Sequence, residues 1–186
     1  NSNMTNNIIG IELFDSSSNN LSCNSIPDST GGIWLHRSSN NTISDNRVAG
    51  NSGYGIALFS ASNNNSLTRN SITASGNYGI YLPSSNNSVF HNNLVNEKQI
   101  FAQLKANSLD GGYPSGGNYW SDYTGMDLLS GPYQNETGSD GIGDTPCTII
   151  QSVQDRFPLM HAYSVGYSEK YLIGLVNGTR VYDYDL

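Results

Sequence analysis

A four-residue phrase, glycine, isoleucine, a variable residue and leucine, recurs every 22 to 24 residues in the first half of the chain. Its glycines are Gly10, Gly32, Gly55 and Gly79. The isoleucine and the leucine lie two positions apart, which is the spacing of a strand with one buried face. A fixed period of this length is the signature of a solenoid, so the repeat limits the possible folds more than any other feature.

A second phrase recurs with the same period and is centred on an asparagine. These asparagines are Asn24, Asn46, Asn70 and Asn92, each with an aliphatic residue three positions before it and another two positions after it. Asparagine tolerates left-handed backbone at a corner, and its amide both donates and accepts hydrogen bonds. Four of them at one corner predict a hydrogen-bonded ladder that satisfies buried turn groups. We favour this structural interpretation over a row of ligand groups.

Short strands broken by turns cannot bury their apolar faces alone, so they must stack on neighbours. A helical solenoid is excluded because no window of ten or more residues combines a 3.6-residue period with helix-forming residues. The strands are also too short and too evenly spaced for a sandwich of hairpins. The sequence therefore predicts an all-β parallel β-helix, with Ile11, Ile33, Ile56 and Ile80 in one internal column.

After Asn92 the period lapses, and glycine and aromatic residues become frequent, most clearly in residues 112–123. The open end of a β-helix exposes strand edges and apolar columns, which large aromatic residues on a glycine-rich loop are suited to cover. We therefore predict β-helix coils over residues 1–110 and a C-terminal cap over residues 111–162. Residues 163–186, where Asn177-Gly178 is a hairpin signal, are predicted to begin a further β segment or to be a linker.

The cap phrases carry a resemblance to a known family. The segments 112–123, 140–146 and 155–160 resemble the C-terminal region of the NosD-like (CASH-domain) β-helix proteins, especially those on the surface of methanogenic archaea. This resemblance, over roughly residues 4–160, implies a right-handed parallel β-helix on a secreted or cell-surface protein. One branch of the family is a periplasmic accessory in copper delivery, and other members stand beside polysaccharide-degrading domains. Cys147 and Leu109 depart from the family pattern, which has Tyr and Trp there.

Composition excludes some partners. The chain has a net charge of -7 with only eight Lys and Arg residues, which is unsuited to binding nucleic acid. It lacks an apolar stretch long enough to span a membrane. Two cysteines without C-x-x-C spacing are interpreted as unpaired thiols rather than one disulfide.

Sequons support an extracellular or cell-surface location. Seven asparagines are predicted glycosylation sites: Asn3, Asn20, Asn40, Asn64, Asn86, Asn135 and Asn177. Those at positions 20, 40, 64 and 86 are interpreted as the same point of successive repeats, which predicts a solvent-facing row.

The residue before each ladder asparagine belongs to one further column. Its members are Cys23, Asp45, Arg69 and His91, and the last three are candidate catalytic residues. Enzymes built on β-helices use rows of such side chains as acids and bases. A single carboxylate makes no acid–base pair, however, so we favour an ordinary charge ladder on the surface.

The remaining candidate sites would bind a metal ion or a sugar. Glu136, Asp140 and Asp144 fit positions of an EF-type acidic loop and are the candidate ligands of a calcium ion; no other cofactor is predicted. The loop is incomplete, because Gly138 offers no side-chain ligand and Cys147 replaces the final acid, so a plain acidic turn is favoured. Histidine and methionine do not recur at coil spacing, which disfavours copper. The predicted outward aromatics Trp34, Phe59 and Tyr81 leave a carbohydrate-binding face open.

Three functions remain open. The leading hypothesis is a non-catalytic extracellular or cell-surface module, a scaffold for a surface layer, filament or sheath that also has the option of binding carbohydrate. Its expected partners are other copies, joined through the β-helix end, or a cell-surface polysaccharide. The alternatives are a polysaccharide-acting lyase or hydrolase and a periplasmic copper-delivery accessory.

Overall fold

A computed structural model describes residues 2–103, 106–150 and 152–164, together with the backbone of residues 171–176 and 179–183. The secondary structure in these parts of the chain is all β. Within them, no helix is long and apolar enough to cross a membrane.

Each of the first four coils gives one strand to each of three parallel sheets, and a fifth coil adds one strand to the first sheet and one to the third. Within each sheet, every strand pairs with the corresponding strand of the neighbouring coil. The first sheet contains β1 (Ile9–Phe14), β4 (Gly31–His36), β7 (Ile56–Phe59), β10 (Ile80–Leu82) and β13 (Ile100–Ala102). The second contains β2 (Asn20–Ser22), β5 (Thr42–Ser44), β8 (Ser66–Thr68) and β11 (Ser88–Phe90). The third contains β3 (Ser25–Pro27), β6 (Arg47–Ala49), β9 (Ser71–Thr73), β12 (Asn93–Val95) and β14 (Tyr119–Trp120). The predicted parallel β-helix is confirmed.

The interior of the β-helix is filled by columns of aliphatic residues. In the first sheet Ile11 pairs with Ile33, Ile33 with Ile56, and Ile56 with Ile80. Ile100 continues this column by pairing with Ile80. The predicted isoleucine column is therefore present and is one coil longer than expected. Stacking identical side chains one strand spacing apart gives each coil an apolar surface that fits the next.

The corners between the sheets are made by residues in left-handed backbone. Cys23, Asp45, Arg69 and His91 have φ values of 57°, 57°, 55° and 59°. The prediction had assigned this conformation to the ladder asparagines, and that detail is wrong: each left-handed residue immediately precedes a ladder asparagine. Left-handed backbone is costly for a non-glycine residue. Here the corner N–H groups bond to the next coil, as Asp45 does to the Thr68 carbonyl at 3.2 Å.

The ladder asparagines bond to one another through the interior of the corner. The Asn70 Oδ1 accepts hydrogen bonds from the backbone N–H and the Nδ2 of Asn46, both at 3.0 Å. The Asn70 Nδ2 also donates to the Ile43 carbonyl at 2.8 Å. Asn118 adds a fifth rung beyond Asn92. A second ladder, which the sequence analysis missed, contains Asn19, Asn41, Asn65, Asn87 and Asn107.

The C-terminal segment, from residue 110 onward, is irregular apart from β14 and contains short antiparallel strand pairs. These are β15 (Leu129–Ser130) with β16 (Glu136–Thr137), β17 (Cys147–Ile150) with β18 (Val153–Asp155), and β19 (Tyr171–Val176) with β20 (Thr179–Asp183). Trp120 is only 2% exposed and belongs to the same apolar core as the coils, together with Leu109 and Val153.

A buried carboxylate ends the first asparagine ladder. Asp155 is fully buried, and its Oδ2 accepts hydrogen bonds from the Asn118 backbone N–H at 2.7 Å and from the Trp120 Nε1 at 2.8 Å. Its Oδ1 accepts from the Phe157 N–H at 3.1 Å. Burial raises the pKa of Asp155 to about 6, although these hydrogen bonds oppose the rise. Asp155 therefore joins the C-terminal segment to the coils.

Candidate functional site

The column of candidate catalytic residues lies at the corner between the second and third sheets. Both Asp45 oxygens accept hydrogen bonds from Arg69, from the Nε at 2.8 Å and from the Nη2 at 2.8 Å. These bonds hold the pKa of Asp45 below its usual range, since they stabilise the carboxylate. A carboxylate with a lowered pKa and both oxygens occupied is poorly suited to give or take a proton at neutral pH.

His91 makes its contacts with the C-terminal segment. Its Nε2 lies 2.7 Å from the Ser115 carbonyl oxygen and 3.2 Å from the Ser115 Oγ. Its ring stacks on Tyr163, with centroids 4.2 Å apart and planes 9° apart. Tyr163 is held by Asn93, whose side chain bonds its backbone N–H at 2.6 Å and its carbonyl at 2.9 Å. The structure thus joins Asp45 to Arg69 and joins His91 to a different set of partners.

A second ion pair of the same kind occurs at another corner. Arg37 donates to both Asp15 oxygens at 2.7 Å, and its guanidinium carbon lies 4.3 Å from the centre of the Phe14 ring. Asp15 and Arg37 also have left-handed backbone, with φ values of 47° and 48°. An aspartate followed one coil later by an arginine is therefore a recurring way of filling a corner of this β-helix. This recurrence favours the charge-ladder interpretation of Asp45 and Arg69.

An aromatic column covers the outer surface of the first sheet. Its rings come from five strands and their preceding turns: Phe14, Trp34, His36, Tyr54, Phe59, Tyr78, Tyr81 and Phe101. Rings of consecutive coils stack face to face, as His36 does on Phe59 (4.8 Å, 16°) and Tyr81 on Phe101 (5.1 Å, 18°). The rings cover Ala57, which is fully buried although it faces outward.

This stacking bears on the predicted carbohydrate face. Sugars stack on the face of an aromatic ring, and here many of the faces are covered by the ring of the next coil. Trp34 differs, because its plane is 76° from that of Phe59 and it lies close over Gly31, where an added Cβ would be 2.4 Å from the indole. Stacking on the rings of neighbouring coils therefore leaves fewer ring faces available to a sugar.

The predicted calcium loop is held together by backbone contacts. Both Asp144 oxygens accept hydrogen bonds from the N–H of Leu128, at 3.2 and 3.0 Å, and the Oδ1 also accepts from the Leu129 N–H at 3.0 Å. The Asp140 Oδ1 accepts from the Ile142 N–H at 3.1 Å. In the described parts of the chain, no group of three or more His, Cys, Asp or Glu side chains is placed to hold a metal ion. Glu136, Asp140 and Asp144 are thus not brought together as a ligand set, and calcium binding stays a prediction.

The two cysteines and His36, which are ligand types that copper prefers, have other environments. Cys23 and Cys147 are free thiols, as predicted. Burial raises the pKa of the Cys147 thiol to about 12, so it stays protonated, whereas metals bind thiolates. His36 stacks on Phe59, and its Nε2 lies 3.4 Å from Glu12. Among the described residues, no group of three or more His, Cys, Asp or Glu side chains is placed to hold copper, and copper delivery stays an alternative hypothesis.

The sequons occupy more than one kind of position. Asn40, Asn64 and Asn86 are exposed corner residues with φ values of 58°, 56° and 58°. Asn20 pairs with Thr42 in the second sheet, so the prediction that it shares the position of the other three is wrong. Asn3 and Asn135 are exposed elsewhere. Asn177 lies outside the described residues.

A family model described as periplasmic copper-binding protein (NosD) matches residues 1–125. This range contains all the coils and the first part of the C-terminal segment. Comparison with curated proteins and with solved structures found no match.

Proposed function

The chain belongs to the NosD family, and from this membership and the geometry of its coils we propose that it is a non-catalytic scaffold module that works outside the cytoplasm. The family description, a periplasmic protein, supports a location in the cell envelope or beyond it. The proposal assigns the module a mechanical role: a stiff rod that sets the distance and orientation of whatever is attached to it.

One observation carries this proposal: two asparagine ladders run unbroken through the coils. Every rung bonds the coil before it, so no coil can move without breaking buried hydrogen bonds on both sides. A β-helix gains about 4.8 Å of length with each coil, and nearest-neighbour contacts are what hold it straight. The outer charged groups add to this, since Asp45 with Arg69 and Asp15 with Arg37 tie adjacent coils together.

The proposed scaffold role does not involve copper. The family description names copper, but the described cysteine, histidine, aspartate and glutamate side chains form no cluster of three or more that would hold a metal ion. Nor does it assign a reaction, because Asp45 is engaged by Arg69 rather than paired with a second acid.

Hydrogen exchange tests the mechanical role. We expect the ladder N–H groups of Asn41, Asn46, Asn65 and Asn70 to exchange at similarly slow rates, because each is buried and bonded to the next coil. Fast exchange in one of these middle coils would show a flexible joint and contradict a rod.

Incubation with neutral and acidic polysaccharides tests the absence of catalysis. We expect no cleavage. Cleavage that is lost in Asp45→Ala and retained in Asp140→Ala would show that the charged column is an active site, and the scaffold proposal would fail.

A further inference from the structure

Three of the sequon asparagines stand at the same corner of three consecutive coils. The rung that follows each of them fixes this register, because Asn41 bonds the Oδ1 of Asn65 and Asn65 bonds that of Asn87, each at 2.8 Å. Asn40, Asn64 and Asn86 are therefore in one column. Ser18 precedes them in it and Ala106 follows, so the asparagine row has three members.

The side chains of this row are free to react, whereas those of the rungs beside them are not. Asn40, Asn64 and Asn86 are exposed, and the hydrogen bond described at Asn40 is a backbone bond, from its N–H to the Asn63 carbonyl at 3.1 Å. The next residues, by contrast, are about 1% exposed, and their amides are engaged on both sides. At this corner, each of the three coils therefore has one accessible side-chain amide followed directly by one buried amide.

The residues after the row complete the acceptor sequence. Thr42, Ser66 and Ser88 supply the hydroxyl two positions on that an N-glycosylation acceptor requires, and they lie at paired positions of β5, β8 and β11. In this reaction the asparagine Nδ2 forms a bond to the anomeric carbon of a lipid-phosphate-linked oligosaccharide. The bond from that carbon to the phosphate oxygen breaks, the lipid phosphate leaves with the electron pair, and the Nδ2 loses one proton.

The spacing of the coils limits how many of these sites can be used together. Neighbouring strands of a sheet are about 4.8 Å apart, and side chains at the same corner of adjacent coils point the same way. A pyranose ring with its substituents is wider than this spacing. Sugars on adjacent coils would overlap, whereas those two coils apart, about 9.6 Å, would not.

We propose that Asn40, Asn64 and Asn86 are N-glycan attachment sites that exclude their nearest neighbours. A folded molecule then carries a glycan at Asn64 alone, or at Asn40, at Asn86 or at both of these. This inference rests on the proposed location outside the cytoplasm, because the lipid-linked donor is used there. It gives the module one sugar-coated edge and leaves the aromatic column bare.

The test is site occupancy in the full chain, secreted and folded, from a host that performs N-glycosylation. Intact mass and peptide mapping after enzymatic glycan release in heavy-oxygen water identify which asparagines carried sugar in the same molecule. Long peptides spanning Asn40 to Asn86 are needed so that joint occupancy is read directly. We expect species with glycans at Asn40 and Asn86 together, and none with glycans at Asn64 and a neighbour.

Two variants sharpen the test. Asn64→Gly removes the middle site and suits the left-handed backbone there, and Ser66→Ala removes the same sequon without changing the asparagine. Both are expected to increase the share of molecules glycosylated at Asn40 and Asn86 together. Asn135→Gln, which lies in the C-terminal segment, is the matched control and should leave the pattern of the row unchanged.

Three results overturn the inference. One is a folded population with sugar at Asn40 and Asn64 together; another is an unchanged pattern in both the Asn64→Gly and the Ser66→Ala variants. The last is an unmodified row from a host that glycosylates a secreted control protein. Each leaves the scaffold proposal standing, because that proposal is tested separately by hydrogen exchange.

Discussion

The coils and the C-terminal segment satisfy their buried polar groups in different ways. In the coils this is done by neutral amides that repeat from coil to coil, as Asn46 and Asn70 do. In the C-terminal segment it is done by carboxylates with individual partners. Asp110, for example, accepts hydrogen bonds from the Arg156 backbone N–H at 3.1 Å, its Nε at 3.0 Å and its Nη2 at 2.6 Å.

The difference follows from what each group can do. An amide donates on one side and accepts on the other, so it can be repeated indefinitely along an axis. A carboxylate only accepts, so it can only end such a row. In the first ladder the backbone N–H of each rung donates to the Oδ1 of the next rung toward the C-terminal end, and the Asp155 Oδ2 accepts from the last of these donors, the Asn118 N–H. The fold therefore extends the first ladder with amides and ends it with an aspartate.

Removing a central rung should break this scheme most severely. In a buried corner, Asn70→Leu leaves the Asn46 N–H without its acceptor and the Ile43 carbonyl without its Nδ2 donor. The Asn92 Oδ1 loses one of its two donors from residue 70 and keeps the backbone N–H. Because each unsatisfied buried group costs about 1 to 3 kcal/mol, we expect the free energy of unfolding to fall by about 3 to 5 kcal/mol. Denaturant unfolding followed by circular dichroism measures this change.

Asn64→Gly in the same coil is the control. It is exposed and suits the left-handed backbone, so its effect should stay within about 0.5 kcal/mol. Equal losses in the two variants would mean that the rung does not stabilise the coils.

Substituting Asp155, which ends the first ladder, should reduce stability less than substituting a ladder asparagine. Asp155→Asn keeps the size of the side chain but replaces one acceptor oxygen with an NH₂, which then faces either the Phe157 N–H or both the Asn118 N–H and the Trp120 Nε1. We expect a loss of about 2 kcal/mol, since charged acceptors contribute about 1.5 to 3 kcal/mol per hydrogen bond and a single acceptor site is changed. Trp120 fluorescence should shift to the red at lower denaturant than in Asp140→Asn, an exposed control. A midpoint equal to that of the control would contradict the role given to Asp155.

Asp155 in the C-terminal segment and Asp45 in the coils should make the stability of the fold depend on pH in opposite directions. The folded-state pKa of Asp155, about 6, lies above its usual value of 3.8. Its contribution to stability is therefore fully present below pH 3.8 and is lost as the pH rises through about 6. For Asp45, whose pKa is lowered, the contribution is present above pH 3.8 and is lost as the pH falls through its folded-state pKa.

A pH series of denaturation curves for the protein and for Asp155→Asn separates these contributions. Between pH 3.8 and about 6, the stability of the unmodified protein relative to the variant should decrease as the pH rises. Groups shared by both proteins cancel in the difference. A constant difference across this range would show that Asp155 titrates normally.

The contrast between the two regions also decides what the sequence could reveal. The isoleucine columns and the first ladder repeat at fixed spacing, so periodicity alone predicted them. The second ladder carried a similar signal, because Asn41 and Asn65 each lie two positions before an inward aliphatic residue, and it was overlooked. Asn20 was misplaced because it lies only 20 residues before Asn40, whereas the ladder spacing at that point is 22. The mismatch of two residues was visible in the sequence.

The contacts between the C-terminal segment and the coils gave no periodic signal in the sequence. Asp155 lies 37 residues after Asn118, in a segment without repeats, so nothing in the sequence paired them. The aromatic column was found only in part, because Tyr54 and Tyr78 lie in turns before the strands and fall outside the strand alternation. Whether Asp45 faced Arg69 or a second acid depended on which residue occupies the same corner one coil later. For Asp45 the sequence predicted that neighbour correctly.

Removing the Asp45–Arg69 ion pair on the surface should have the smallest effect on the free energy of unfolding. The Arg69 side chain is 42% exposed and that of Asp45 is 20% exposed, so solvent screens their attraction. We expect a double-mutant cycle of Asp45→Ala and Arg69→Ala to give a coupling free energy of about 0.2 to 1 kcal/mol, weaker in high salt. The cycle Asp15→Ala with Arg37→Ala should give an equal or smaller value, because both side chains are more than half exposed. A coupling of several kcal/mol at Asp45 alone would show that this pair, unlike its counterpart, is needed to hold a specific geometry. The charge-ladder interpretation would then be wrong, because one corner of the β-helix would differ from the others in a way that packing does not explain.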